Sequence, residues 1–145
     1  MTPQRVTLIT LGVADLARSK DFYERLGWTA HPRSQDSIVF FQMNGSVLGL
    51  FPLDELAADQ GRPDARLGTG AMTLAQNFPT RGEVDGAFAD ARDAGATGLK
   101  PPQDVFWGGY SGYYADPDGH VWEVAMNPFW PLAEDGRLTL PDSGD

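Results

Sequence analysis

The feature that most constrains the fold of this chain is an internal duplication. The segment TLITLGV at residues 7–13 aligns with MTLAQNF at 72–78, and each runs into a stretch of helical periodicity that a glycine ends. Further along, VLGLF at 47–51 aligns with VWEVA at 121–125. A repeat of about 65 to 75 residues exceeds a solenoid unit and has the size of half a domain. We therefore predict an α+β fold built from two βαβββ modules in tandem.

The first module is expected over residues 5–52. After a strand at its start, a helix begins at the N-cap candidate Asp15 and ends at Gly27. The Asn44-Gly45 pair is a strong signal for a β-hairpin between the last two strands of the module. The strands predicted after the helix lie at residues 28–33, 37–43 and 46–52.

The second module is expected over residues 70–128. Residues 53–69 are polar and rich in turn formers, so we predict a connector between the modules. The second helix is predicted at 81–95, and Asp-Pro-Asp-Gly at 116–119 has the composition of a tight turn. Further strands are predicted at residues 71–78, 97–100, 109–115 and 120–126. The chain is thus predicted to form a single domain, 1–145, with a C-terminal tail at 129–145.

Composition excludes several classes of function. The chain has 145 residues, 41% of them hydrophobic, which is enough for one buried core. It carries 20 acidic and 11 basic residues, a net charge of −9 that repels nucleic acid and anionic membranes. It has no Cys, so disulfides and thiolate zinc sites are impossible. The amino terminus lacks the pattern of a signal peptide, and no apolar run is long enough for a membrane span. We expect a cytoplasmic protein.

Two motifs resemble the vicinal oxygen chelate superfamily. They are V-x-D-L-x-x-S-x-x-FY-x-x-LG, from Val13 to Gly27, and Y-x-DPDGH-x-WE-V, from Tyr114 to Val124. That superfamily includes glyoxalase I, extradiol dioxygenases, methylmalonyl-CoA epimerase, fosfomycin-modifying enzymes and the bleomycin resistance proteins. The resemblance covers roughly residues 5–128 and implies a cupped mixed sheet from each module, with helices outside. It does not specify an activity, since one scaffold hosts many chemistries.

Period-two alternation divides the strand residues between two faces. One face is strongly apolar and is expected under the helices; this helix face carries Ile9, Leu11, Val13, Leu48, Leu50, Met72, Leu74, Phe78, Trp122 and Val124. The other is mixed and is expected to line the cup; this cup face carries Leu8, Thr10, Gly12, Val47, Gly49, Phe51, Thr73, Ala75, Asn77, Val121, Glu123 and Ala125. Glu123 is therefore predicted to point into a pocket.

The resemblance also indicates where a metal ion would bind. In the metal-dependent relatives, the first and last strands of each half supply four ligands, usually His, Gln or Glu. The matching positions here are Leu8, Gly49, Thr73 and Glu123. Leu and Gly offer no side-chain donor atom, and a neutral Thr hydroxyl is a weak ligand. We therefore expect no metal cofactor.

Three other residues carry side chains that could ligate a metal ion. His31 stands beside Pro32 and is interpreted as an exposed loop histidine. His120 follows the predicted turn and is interpreted as stabilising it. Gln76 shares the helix face, and only a bulge in its strand would turn it inward.

Aromatic residues are dense just before the Asp-Pro-Asp-Gly turn. They either pack the sheet or form a pocket wall that stacks flat or cationic ligands; the residues concerned are Phe106, Trp107, Tyr110, Tyr113 and Tyr114. The ligand-binding residues that we predict are Thr10, Phe51, Asn77, Trp107, Tyr110, Tyr113 and Glu123.

Two functional hypotheses follow. The first is a metal-independent small-molecule binding protein, similar to the bleomycin resistance proteins. The second is a lyase, isomerase or dioxygenase of the same superfamily, with Glu123 as general base or as the one recognisable metal ligand. By analogy with two-module members of the superfamily, and from exposed aromatics in the tail (Phe129 and Trp130), we expect a homodimer.

Overall fold

In the computed structural model, which describes residues 1–142, the two copies of the repeat form two units. One unit ends at Thr69 and the other begins at Gly70. The first contains β1 (Leu8–Val13), α1 (Leu16–Arg25), β2 (Val39–Gln42), β3 (Val47–Pro52) and α2 (Leu53–Asp59). The second contains β4 (Thr73–Asn77), α3 (Arg81–Ala94), β5 (Thr97–Asp104), β6 (Tyr110–Ala115) and β7 (Val121–Met126).

Each unit has a mixed sheet with the same central pairing. The strand order is β1-β3-β2 in the first unit and β4-β7-β6-β5 in the second. The first strand of each unit runs parallel to the last, with Thr10 opposite Gly49 and Ala75 opposite Glu123. These are equivalent positions in the internal alignment, so the two copies agree in register. The predicted α+β architecture is confirmed.

Both main helices begin and end where the sequence predicts. Asp15 and Thr80 are the N-caps, and each side chain accepts a hydrogen bond of 3.1 Å from the backbone N–H three residues along. Gly27 and Gly95 follow the last turns with φ of 98° and 115°, values that favour glycine. The buried residues of these helices include Phe22, Tyr23, Val84, Phe88 and Ala91.

The helix face carries the core of each sheet. Its buried members are Leu11, Val13, Leu48, Leu50, Trp122 and Val124. Met72 was also expected on this face, but it precedes β4 and is 53% exposed. After β6, the buried Asp116 accepts hydrogen bonds of 2.9 Å from the N–H groups of Asp118 and His120. The predicted turn is therefore present, and Gly119 completes it with a φ of 93°.

The segment predicted as a connector, 53–69, contains a short helix that the sequence analysis did not predict, α2. Leu53 and Leu56, three residues apart on this helix, cover one end of the cup face. A Cβ at Gly12 would lie 2.7 Å from Leu53 Cδ2 and 3.2 Å from Leu56 Cδ2. Any larger residue at position 12 of β1 would therefore displace the ends of these two leucine side chains.

The prediction of a strand at 28–33 is wrong. That segment is a loop, and nearby only an isolated bridge joins Gln35 to Ile38. Side chains in and near this segment accept hydrogen bonds from nearby backbone N–H groups. Arg33 N–H donates to His31 Nδ1 at 3.0 Å, and Phe40 N–H donates to Ser34 Oγ at 3.0 Å. These side chains satisfy the groups that a strand ladder would otherwise pair.

Within residues 1–142, no helix has both the length and the apolar character that crossing a bilayer requires.

Candidate functional site

An open cavity of about 310 Å³ lies against the cup face of the first sheet. Phe40 and Gln42 of β2 pair with Gly49 and Val47, so both side chains share the cup face with Leu8. Most of the lining surface is apolar. The lining residues are Thr7, Leu8, His31, Arg33, Phe40, Gln42 and Val47.

Gly49 lies buried beneath two of the lining side chains. A Cβ at this position would contact Leu8 Cδ1 and Phe40 Cε1, both at 3.5 Å, which are ordinary van der Waals distances. Leu8 and Phe40 therefore lie close together over the backbone of β3, and they give the cavity an aliphatic and an aromatic part of its wall.

Four polar residues line the cavity, namely Thr7, His31, Arg33 and Gln42, and the contacts of the last three define what each can offer. His31 Nδ1 accepts from Arg33 N–H, so the neutral ring carries its proton on Nε2 and is a donor there. The side-chain amide of Gln42 donates to the carbonyls of Met43 and Ser46 at 2.9 and 3.1 Å, which leaves its oxygen as an acceptor. Within residues 1–142, Arg33 makes no ion pair.

A different pair of residues occupies the cup face of the second sheet. Glu123 of β7 lies directly opposite Tyr113 of β6. The pKa of Tyr113 is raised, first by burial, then by the negative charge of Glu123 and by a hydrogen bond to it. The parity predicted for Glu123 is consistent with this pairing, and the acid has a phenol as its neighbour.

Tyr110 lies on the opposite face of the same sheet. Its hydroxyl donates a 2.6 Å hydrogen bond to Asp85 of α3, and the guanidinium of Arg81 stands 5.5 Å from its ring centroid. The hydrogen bond to Asp85 is the main reason that the pKa of Tyr110 is raised. Tyr114 shares this face, where burial raises its pKa and its ring stacks on Trp122.

The structure distributes the other predicted ligand-binding residues between the two units. Thr10 and Phe51 are on the cup face of the first sheet, and Asn77 is on that of the second. Trp107 lies in the loop between β5 and β6, with its ring over Gly109, whose Cβ would come within 1.9 Å of it. The structure therefore brings Tyr113 and Glu123 together and places Tyr110 on the other side of their sheet.

The sequence analysis placed Leu8 and Val47 on the cup face, but it missed the other residues that line the first cavity. Alternation along β2 could have identified Phe40 and Gln42, because both share parity within that strand. His31 is exposed, as expected, but it also lines the cavity together with Arg33. No periodic signal indicated these two, because they belong to a loop.

The four positions that the resemblance assigns to metal ligands are those of Leu8, Gly49, Thr73 and Glu123. Gln76 pairs with Val124 on the helix face, in a regular parallel ladder. Among residues 1–142, no group of three or more His, Asp or Glu side chains is placed to hold a metal ion. Glu123 is thus the one strong ligand type among the four positions that the resemblance indicates.

Comparison with known proteins gives consistent results. Residues 5–124 match the family model of the Glyoxalase/Bleomycin resistance protein/Dioxygenase superfamily. The crystal structure of a glyoxalase-related enzyme from Fulvimarina pelagi is similar, with a TM-score of 0.89 and 40% identity over 97% of this chain and all of the other. A lactoylglutathione lyase from Agrobacterium tumefaciens shares the fold, with a TM-score of 0.68 and 24% identity over 91% of this chain and 100% of that one. An uncharacterized protein from Mycobacterium bovis is 28% identical over 123 residues, which are 80% of this chain and 79% of that protein.

Proposed function

The chain belongs to the Glyoxalase/Bleomycin resistance protein/Dioxygenase superfamily, and on that premise we propose that it binds an organic small molecule in the cavity of its first unit without a metal ion. The observation that carries this proposal is the apolar wall formed by Leu8, Phe40 and Val47. Leu8 and Gly49 also occupy two positions where metal-dependent relatives carry ligands, and neither offers a donor atom.

The volume of the cavity suits a small ligand. Its volume of about 310 Å³ is at the lower end of the ~300–1,000 Å³ typical of ligand pockets. Apolar walls with a few polar groups are the usual composition of such sites, where burial supplies affinity and the polar groups fix orientation. We therefore expect ligands with one or two fused rings.

The test measures binding of naphthalene derivatives to EDTA-treated protein by isothermal titration calorimetry, with and without Mn²⁺, Fe²⁺, Ni²⁺ or Zn²⁺. We expect saturable binding that the metals do not change. Val47→Phe should fill the cavity and weaken binding by about tenfold or more, a loss of ~1.4 kcal/mol. Val121→Phe, at the equivalent position of the second unit, is the matched control and should bind as the wild type does. Metal-dependent binding, or equal effects of the two variants, would contradict the proposal.

A second candidate function is an enzyme of the same superfamily with Glu123 as general base. It is supported by the pairing of Glu123 with Tyr113 and by the similar protein described as a glyoxalase-related enzyme. We expect such an enzyme to exchange an acidic C–H of small carbonyl compounds with D₂O. Glu123→Gln should slow this exchange by roughly 10²- to 10⁴-fold, whereas Glu134→Gln in the tail should not. Equal exchange rates in Glu123→Gln and wild type, followed by NMR, would remove this candidate.

We also propose that the chain forms a homodimer in the cytoplasm. The support is the exposure of large aromatics in the tail, where Phe129 and Trp130 are 64% and 39% exposed. Sedimentation equilibrium would test the dimer directly, and a monomer mass at all concentrations would contradict it.

A further inference from the structure

We infer that the cavity of the first unit selects organic anions, meaning molecules with an apolar body and one carboxylate or sulfonate. The inference rests on the proposed function, since it names the class of ligand that the same cavity would take. Its basis is the set of polar groups beside the apolar wall, namely the guanidinium of Arg33 and the imidazole of His31.

Arg33 provides the charge. Its guanidinium is ionised at every physiological pH and presents a planar fork of donors that matches the two oxygens of a carboxylate. Some basic side chains are already paired with a carboxylate, as Arg25 is with Asp21 and Arg81 with Asp104. Arg33 has no such partner among residues 1–142, so an anionic ligand would not have to displace a carboxylate.

His31 provides a second donor, whose position a hydrogen bond fixes. Because its Nδ1 accepts from Arg33 N–H, its second nitrogen carries hydrogen in the neutral ring. The backbone N–H of His31 also donates to the carbonyl of Phe40 at 2.7 Å. This bond ties the loop to β2, whose Phe40 side chain forms the aromatic wall. The donors and the apolar wall are thus held by one local network.

The lining offers little to a cation. None of the described residues that line the cavity is Asp or Glu. The acceptors are the side-chain oxygen of Gln42 and the hydroxyl of Thr7, both neutral. The net charge of −9 favours cations over the surface as a whole, but such long-range attraction is screened within about 8 Å at physiological ionic strength. Selection inside the cavity therefore depends on the nearest groups, among which the guanidinium of Arg33 is charged and the acceptors are neutral.

The experiment compares three naphthalene probes of similar shape by isothermal titration calorimetry: 1-naphthoate, 1-naphthamide and 1-naphthylmethylammonium. With wild-type protein we expect the anion to bind at least tenfold more tightly than the amide or the cation. Arg33→Met should weaken 1-naphthoate at least tenfold and leave 1-naphthamide within about twofold. This variant keeps the backbone N–H that orients His31. Arg66→Met removes the same charge away from the cavity and should leave all three affinities unchanged.

The outcomes of this experiment distinguish failure of anion selection from failure of the proposed small-molecule binding. If the amide binds as tightly as the anion and Val47→Phe abolishes both, the cavity binds small molecules but does not select anions, and the inference is overturned. Preference for the cation, or equal effects of Arg33→Met and Arg66→Met, overturns it as well. If none of the three probes binds, both the inference and the proposed function fail. Anion preference lost only in Arg33→Met supports both.

Discussion

The two units of this protein share a register but differ in what their cup faces carry. In both, the first strand runs parallel to the last, and equivalent residues stand opposite each other. At the centre of the cup face, the first unit has Thr10 and Gly49, whereas the second has Ala75 and Glu123. The first cup face adjoins a cavity that has an apolar wall and the side chain of Arg33. The second cup face pairs the carboxylate of Glu123 with the phenol of Tyr113. The two units thus share the parallel pairing of the first and last strands, whereas the residues on their cup faces differ in chemistry.

The difference extends to the number of strands. The second unit has a fourth strand, β5, which pairs with β6 and has two register shifts, the second of which spans Pro101 and Pro102. In the first unit the segment between α1 and β2 stays a loop, and this loop places His31 and Arg33 at the cavity. The segment that forms β5 in the second unit is thus matched in the first unit by a loop, and this loop supplies polar groups of the candidate site.

The largest expected effects concern the helix face, where the units agree. Leu48 and Trp122 are equivalent residues, only 2% and 4% exposed. We expect Leu48→Ala to lower the free energy of unfolding by about 2–5 kcal/mol and Trp122→Ala by about 3–5 kcal/mol, because each leaves a cavity in a packed core. Urea unfolding followed by circular dichroism would measure both. Leu140→Ala, at a 61% exposed position, is the control and should stay within ~0.5 kcal/mol. If only one unit were sensitive, the equivalence of the two cores would be refuted.

A smaller effect should distinguish the four-stranded sheet from the three-stranded one. A Cβ at Gly112 would lie 2.8 Å from the backbone N of Pro102 and 2.9 Å from the carbonyl O of Lys100, both in β5. Gly112→Ala should therefore cost about 1–3 kcal/mol of unfolding free energy through overpacking. Gly49→Ala meets only side chains at 3.5 Å, and reduced backbone entropy should make it neutral or stabilising by up to about 1 kcal/mol. Equal destabilisation by the two changes in the same urea assay would contradict this account of β5.

The elements that the sequence predicted correctly are those set by local signals. Asp15 and Thr80 cap helices with their own side chains, and apolar periodicity marks the buried faces, so the helices and the register follow from nearby residues. The strand at 28–33 failed because the side chains of His31 and Ser34 bond backbone groups that a ladder would need. The helix α2 was not predicted, because it lies in a polar segment where the two residues Leu53 and Leu56 are too few to establish a helical period.

The candidate site was only partly within reach of sequence reasoning. Alternation placed Glu123 correctly on the cup face. Alternation also puts Tyr110 and Tyr113 on opposite faces of the sheet, because they are three positions apart in β6. Their closeness in the sequence nevertheless suggested a single aromatic wall. His31 and Arg33 reach the cavity from a loop, whose path depends on tertiary hydrogen bonds and not on any period in the sequence.

The smallest expected effect tests whether the two faces of the second sheet are independent. Glu123→Gln should lower the pKa of Tyr113 towards its ordinary value of 10, because it removes the negative charge opposite the phenol, while burial keeps the pKa somewhat raised. Asp85→Asn is the matched change on the other face and should lower the pKa of Tyr110 alone. Tyrosine titration by NMR, with the ring carbons labelled, would resolve the two residues.

The sign of the accompanying stability change follows from the direction of these shifts. A raised pKa means that the folded protein keeps a phenolic proton which the unfolded chain releases above pH 10, so the free energy of unfolding falls as pH rises through 10. Glu123→Gln and Asp85→Asn should each make this fall shallower, since each brings one folded pKa closer to that of the unfolded chain. If Glu123→Gln shifted the titration of Tyr110 as much as that of Tyr113, the sheet would not insulate its faces. The acid of the second unit would then act beyond the cup face on which it lies.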